Sequence, residues 1–250
     1  MDGTVGAANP DHLMADTPVW RCGRWVASLL VLAVAACGVS PEMRVAPEPP
    51  SRPLASAPAD AARYAVDAAR TRIRFIVRRA GTLARLGHNH VIIARQVTGV
   101  VALAPALRRS TVSLRLPVAG FEVDPPEARA ALGEGFEPVP DAAVAGTRRN
   151  MLGERVLDAT RYPAVRVDTV AVEPGPDAVH LTVRITLRGV SRDLRVPVDF
   201  VRQGDTLEAR AQFEIRQTDF GMTPLAVLGG ALQVADAVTV RLHLVAVRRP

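Results

Sequence analysis

From Val179 to Ile215 the chain alternates apolar and polar side chains through three consecutive runs, and this alternation restricts the fold more than any other feature. Val179, Leu181, Val183, Ile185 and Leu187 interleave with His180, Thr182, Arg184 and Thr186. After a turn at Arg188-Gly189, Leu194, Val196, Val198 and Phe200 interleave with Arg195, Pro197 and Asp199. A second turn at Gly204-Asp205 leads to Leu207, Ala209, Ala211, Phe213 and Ile215, spaced by Glu208, Arg210, Gln212 and Glu214. Side chains of a strand point alternately to opposite faces, so each run has one oily and one wet face. The short connections make neighbouring strands antiparallel.

The same period recurs upstream and downstream. Tyr64 to Asp67 predicts a short strand, and Arg72 to Arg79 another, carrying Ile73, Phe75 and Val77 on one face. His88 to Ile93 and Val97 to Leu103 continue around a break at Ala94-Arg95. Val112, Leu114, Leu116 and Val118 mark a further strand, Val165 and Val167 open one that Pro174-Gly175 ends, and Val238, Val240, Leu242 and Leu244 form the last. Glu127 to Leu132 and Ala142 to Asp158 have helical spacing instead. The expectation is mainly β: about eight or nine antiparallel strands with a short helical insertion. Such a sheet buries its apolar face by curling on itself or by meeting a second sheet. Closure removes the exposed edges, and about eight strands enclose room for one elongated ligand, as in lipocalins. A sandwich would fill its centre with side chains.

The N-terminal part reads as a targeting segment and not as part of the domain. Arg21 and Arg24 precede an apolar run, Trp25 to Ala36, that ends in Val34-Ala35-Ala36-Cys37. Basic, apolar and small-residue regions in that order describe a secretory signal peptide, and the run is short for a membrane span of about 20 residues. Residues 1–37 therefore read as a signal peptide whose end resembles a bacterial lipobox, with Cys37 as the lipidated residue. Met14 is a candidate start, because Met1 to Leu13 carry two aspartates. Residues 38–62, and Pro41 to Asp60 in particular, are rich in Pro, Ala and Ser and read as a tether. Residues 63–250 are then one domain with a sizeable core.

The cysteines, Cys22 and Cys37, both precede that domain, so it is held by burial without disulfides. The net charge of +6 rests on arginine alone. These arginines alternate with Glu and Asp along strand outer faces, as on a mixed solvated surface, and the stacking aromatics of a nucleic-acid binder are scarce. The sequence thus argues against nucleic acid as a partner.

Four motifs in order resemble the YceI-like, polyisoprenoid-binding family. They are Asp158-Ala159-Thr160-Arg161-Tyr162-Pro163; Leu187-Arg188-Gly189-Val190-Ser191 with Leu194 to Val198; Arg216-Gln217-Thr218-Asp219-Phe220-Gly221-Met222; and Val234-Ala235-Asp236-Ala237-Val238. The resemblance spans about Arg63 to Val247 and implies a lipocalin-like barrel holding a long isoprenoid chain. Gly87-His88-Asn89-His90 departs from the family's more frequent pattern and resembles a secreted subgroup with a GHxH signature.

Carrying a lipid requires apolar wall and no catalytic group or cofactor. The inward set Phe75, Val77, Leu114, Leu116, Val165, Val167, Leu181, Val183, Ile185, Phe213 and Ile215 offers one. Burying an isoprene unit is worth about 2–3 kcal/mol before association costs. Periodicity alone fits a hollow wall and a filled core, as in an envelope interaction module, equally well; the resemblance favours the cavity.

His88 and His90 share a strand face with Ile92. They are candidates for a polar anchor at the barrel mouth, for a structural pair beside the Gly87 turn, or for a hydrolytic or metal-dependent centre. Zinc needs three or four protein ligands and this motif offers two, although Glu134, Glu137, Asp141 or Glu154 could approach. Nucleophile elbow, Walker loop and HExxH are absent, and Asp219-Phe220-Gly221 lacks the rest of a kinase. The expected protein is a binding lipoprotein of the bacterial envelope, facing the periplasm. Gly38 after the anchor resembles the pattern that directs lipoproteins to the outer membrane.

Overall fold

A computed structural model describes residues 54–249 apart from Asp177. The expected signal peptide, Cys37 and most of the tether lie outside the described residues. The chain forms β1 (Ala62–Val66), β2 (Arg72–Ala80), β3 (His90–Ala94), β4 (Thr98–Leu103), β5 (Thr111–Pro117) and β6 (Phe121–Val123). Two helices follow, α1 (Pro126–Ala130) and α2 (Asp141–Leu152). The second half is β7 (Ala164–Pro174), β8 (Val179–Leu187), β9 (Val190–Gln203), β10 (Thr206–Arg216), β11 (Ala226–Val227) and β12 (Leu232–Arg248).

Strands β1, β4, β5, β7, β8, β9, β10 and β12 pair in that order, all antiparallel, and β12 returns to β1 through Tyr64 opposite Arg248. The sheet is therefore a closed eight-stranded barrel, and the sandwich alternative falls. β2 runs along the same edge of β12 as β1, further from its C-terminus, and carries β3 and β6 as a side ribbon. The offset between β1 and β2 has a local cause. Asp67 turns the chain by accepting the Ala69 and Arg70 N–H groups on Oδ1. Thr71, buried, then exchanges hydrogen bonds with both backbone groups of Val245 through its hydroxyl, at 3.2 and 3.1 Å. That side chain substitutes for the ladder where the two strands hand over.

Three expectations need correction. The helix expected over Ala142 to Asp158 stops at Leu152, where Gly153 takes an extended conformation and its N–H caps the Arg149 carbonyl. Val156 and Leu157 retain helical spacing in sequence but lie in the loop beyond it. The ribbon strand β6 and the two-residue β11 were too short to show a period. Residues 54–61, at the end of the expected tether, lie on the barrel: the Ala55 N–H donates to the Thr169 carbonyl at 2.8 Å, and Ala61 is buried with Ala102 and Ala104.

The Arg188-Gly189 turn has positive φ at both positions, +52° and +76°, the twist that suits a two-residue hairpin. Gly189 is needed twice over, since a Cβ there would sit 2.8 Å from Tyr162 Cε1. Arg188 reaches from the hairpin to the Gly221 and Glu154 carbonyls, at 3.0 and 2.9 Å. It ties the β8–β9 turn to the segment after α2 and to the turn after β10. Gly189→Ala is expected to cost about 2–4 kcal/mol through left-handed strain and overpacking. A lower urea midpoint with an unchanged m-value checks this.

The β9–β10 ladder stops early, and the sequence explains where. β9 and β10 pair only from Gln203 opposite Thr206 to Asp199 opposite Arg210. Pro197 follows, opposite His180 of β8. Counting from the hairpin turn, that pair is one of the non-hydrogen-bonded pairs, so the proline nitrogen faces β10 with no hydrogen to donate. Beyond it Val190 to Val198 and Ala211 to Arg216 form no ladder with each other.

Candidate functional site: the barrel chamber

Cross-strand pairs place the inward residues in register. Leu114 lies opposite Val167 and Leu116 opposite Val165, while Val167 lies opposite Ile185 and Phe75 opposite Val240. Their faces meet a chamber of about 220 Å³, many times the roughly 10–15 Å³ that admits one water. The centre is hollow, which removes the filled-core alternative.

Phe75, Val77, Leu114, Leu116, Val165, Val167, Leu181, Val183, Ile185, Phe213 and Ile215 all line this chamber. Sequence reasoning missed the residues that plug one end: Met151 of α2, Val156 and Leu157 of the following loop, and Met222 after β10. Their helical or turn spacing gave no sign that they meet the barrel. Gln217 is the one polar side chain in the lining, and its Nε2 donates to the Ala235 carbonyl at 2.8 Å. At the opposite end a second hollow of about 60 Å³ adjoins the first. Val112, Leu181, Val198, Ala209 and Leu244 line both, and Leu103, Leu107, Val179 and Phe200 extend it outward.

His88 and His90 do not line the chamber. His88 is exposed. His90 lies opposite Val77, but its Nδ1 is 2.6 Å from Asp124 Oδ2. Asp124 directly follows β6 with φ +52°. Its N–H donates to the Val91 carbonyl, and its Oδ1 accepts the Val91 N–H at 2.9 Å. The same Oδ1 accepts from Arg129 Nη1 at 2.6 Å. Both side chains of this ion pair are buried, with 0% and 4% of their surface exposed. Arg129 also donates to the Asn89 and Glu137 carbonyls, and Asn89 Nδ2 donates to the Gly135 carbonyl. The cluster clamps α1 and the 133–137 loop onto β3. Burial alone would raise the Asp124 carboxyl, but the hydrogen bonds from His90, Val91 and Arg129, with the charge of His90, outweigh it and hold it below the usual carboxylate range.

Asp124 and Arg129 carried no sequence signal, because their roles depend on a contact between β3 and a loop 30 or more residues away. Glu137 contributes its carbonyl oxygen to Arg129, and its carboxylate accepts the Gly135 N–H. Among the described residues no three His, Cys, Asp or Glu side chains stand where they could hold a metal ion.

A closed antiparallel barrel around an apolar chamber, with its polar network outside the wall, defines a lipocalin-like binding barrel. The chain belongs to the YceI-like family: the YceI-like domain model matches residues 64–246. Among solved structures it is similar to BcnA of Burkholderia cenocepacia, with 19% identity and a TM-score of 0.54 over 72% of this chain and 99% of that one. It is also similar to a polyisoprenoid-binding domain of Saccharophagus degradans implicated in plant cell wall breakdown, with 12% identity and a TM-score of 0.51 over 74% and 98% of the two chains. At these identities the likeness is one of fold. No curated protein sequence matches the chain.

Proposed function

We propose that the protein binds and carries a long apolar ligand, a polyisoprenoid or related lipid, inside its barrel. The observation that carries this reading is a ligand-sized chamber whose described lining is apolar apart from Gln217, whose Nε2 donates to the Ala235 carbonyl. The similar Saccharophagus degradans domain, described as polyisoprenoid-binding, supports the ligand class. The chamber contains no acid, base or nucleophile, so binding is favoured over catalysis. Organic extracts of protein purified from its own cell envelope should contain a stoichiometric apolar compound on mass spectrometry. Extracts free of any such compound, together with no uptake of polyisoprenoid alcohols by the purified domain, would end this reading.

The same proposal places the carrier in the bacterial envelope as a periplasm-facing lipoprotein. Cys37 would be the lipidated anchor, residues 38–53 part of the tether, and the outer membrane the destination suggested by Gly38. Two lipid signals or a full diacylated cysteine hold a protein stably on a bilayer. Cys37→Ala should move the protein from the membrane pellet to the soluble fraction, leaving the barrel's melting temperature unchanged. Membrane retention of that variant would show that Cys37 is not the anchor.

A further inference from the structure

The chamber offers a charged group no counter-charge, since among the described residues Gln217 is the one polar side chain of its lining. An unpaired charge is far more costly there than in water, so a ligand's charged head must stay outside. One end is plugged by Met151, Val156, Leu157 and Met222. On the outer face of β8 and β9, Arg184 pairs with Asp193 and Arg195 with Glu173 of β7.

The other end differs. Phe200, 37% exposed, is the one exposed side chain among those lining either hollow. Four arginines adjoin residues of this end by sequence or register. Arg108 and Arg109 directly follow Leu107, which lines the outer hollow. Arg202 lies two residues beyond Phe200 on the same sheet face, opposite Leu207. Arg248 continues the inward row of Leu244 and Ala246, opposite Tyr64. All four are exposed, and none forms an ion pair with a described residue. The same hairpin carries Asp199 and Asp205, and Glu208, which pairs with Arg70, Arg210 and His243.

We propose that this end is the mouth of the chamber, and that Arg108, Arg109, Arg202 and Arg248 hold the anionic head, a carboxylate or phosphate, of a single-chain lipid whose tail fills the barrel. The inference rests on the carrier reading and specifies its ligand class. Exposed guanidinium groups each contribute little to such a contact, and salt screens them, so the head is selected by their sum.

The test uses one tail with different heads. Farnesol, farnesyl phosphate, farnesoic acid and farnesylamine are titrated calorimetrically into the purified protein at low and high salt, with inorganic phosphate alone as a further arm. Farnesyl phosphate and farnesoic acid are expected to bind about tenfold tighter than farnesol at low salt, and farnesylamine more weakly. High salt should shrink the spread, and the R108E/R109E/R202E variant should invert the order. Arg115→Glu, on the exposed outer face of β5, should leave the order intact. Equal affinity for all heads, an order unmoved by the triple variant, or inorganic phosphate binding as tightly as farnesyl phosphate would overturn the head site and leave the carrier standing. Failure of all four farnesyl compounds to bind would instead overturn the carrier reading itself.

Discussion

Replacing Asp124 by alanine is expected to cost the domain about 3–5 kcal/mol, a large share of the total stability of an ordinary domain. The cause is the partner left behind. Arg129 is almost wholly buried and would retain a charge facing an empty space where Asp124 Oδ1 stood. Val91 would lose the acceptor of its N–H in the same step. His90→Ala removes one hydrogen bond from a half-buried ring and is expected to cost about 1 kcal/mol. Chemical denaturation of the two variants separates these outcomes. If His90 were the organising group, the order would reverse.

The acid side of the stability profile follows from the same carboxylate. Its folded pKa lies below its unfolded one, so the stability it supplies is fully present above the unfolded value. That contribution is lost as pH falls through the folded value. The gap between wild type and Asp124→Asn should therefore be widest near neutral pH and should narrow below about pH 4. A gap constant over that range would mean that the carboxylate's charge does not support the clamp.

Filling the chamber gives the other large effect. Val183 is buried at mid-wall on β8, opposite Leu194 and beside Ile185 on the inward face. Tryptophan at this position adds an indole to a space that already exists, so the overpacking expected in a solid core is largely avoided. Affinity for a long isoprenoid alcohol should fall at least about a hundredfold, because the bulk displaces more than one buried isoprene unit. The melting temperature should change by a few degrees at most. A variant that binds normally would place the ligand elsewhere, and one that unfolds would indicate a centre without free volume.

The strand pattern was legible because a half-buried strand writes its environment into alternate residues. Val179 to Leu187 and Thr206 to Arg216 fall on the expected strands, and their apolar members face the chamber or the outer hollow. The Arg188-Gly189 and Gly204-Asp205 turns follow equally, since positive φ favours glycine there. What periodicity does not contain is distance across the barrel. Whether Val183 meets a facing side chain or empty volume depends on strand count and tilt, which local sequence does not encode. Elements without a period of their own were hidden for the same reason: β6 is three residues long, and Met222 follows a turn. Pro197 could have been read as the limit of pairing with β10, because a proline inside an alternating run marks an edge. His88 and His90 stood out as chemistry, but His90 serves a clamp whose other members, Asp124 and Arg129, come from distant segments.

A crystal structure of the domain purified from its own envelope without detergent decides whether a lipid occupies the barrel. Elongated density should run inside the wall from Met151 and Leu157 past Val183 towards Phe200, touching hydrocarbon along its length. A barrel whose inward side chains meet each other across the axis, with no volume between them, would contradict the account.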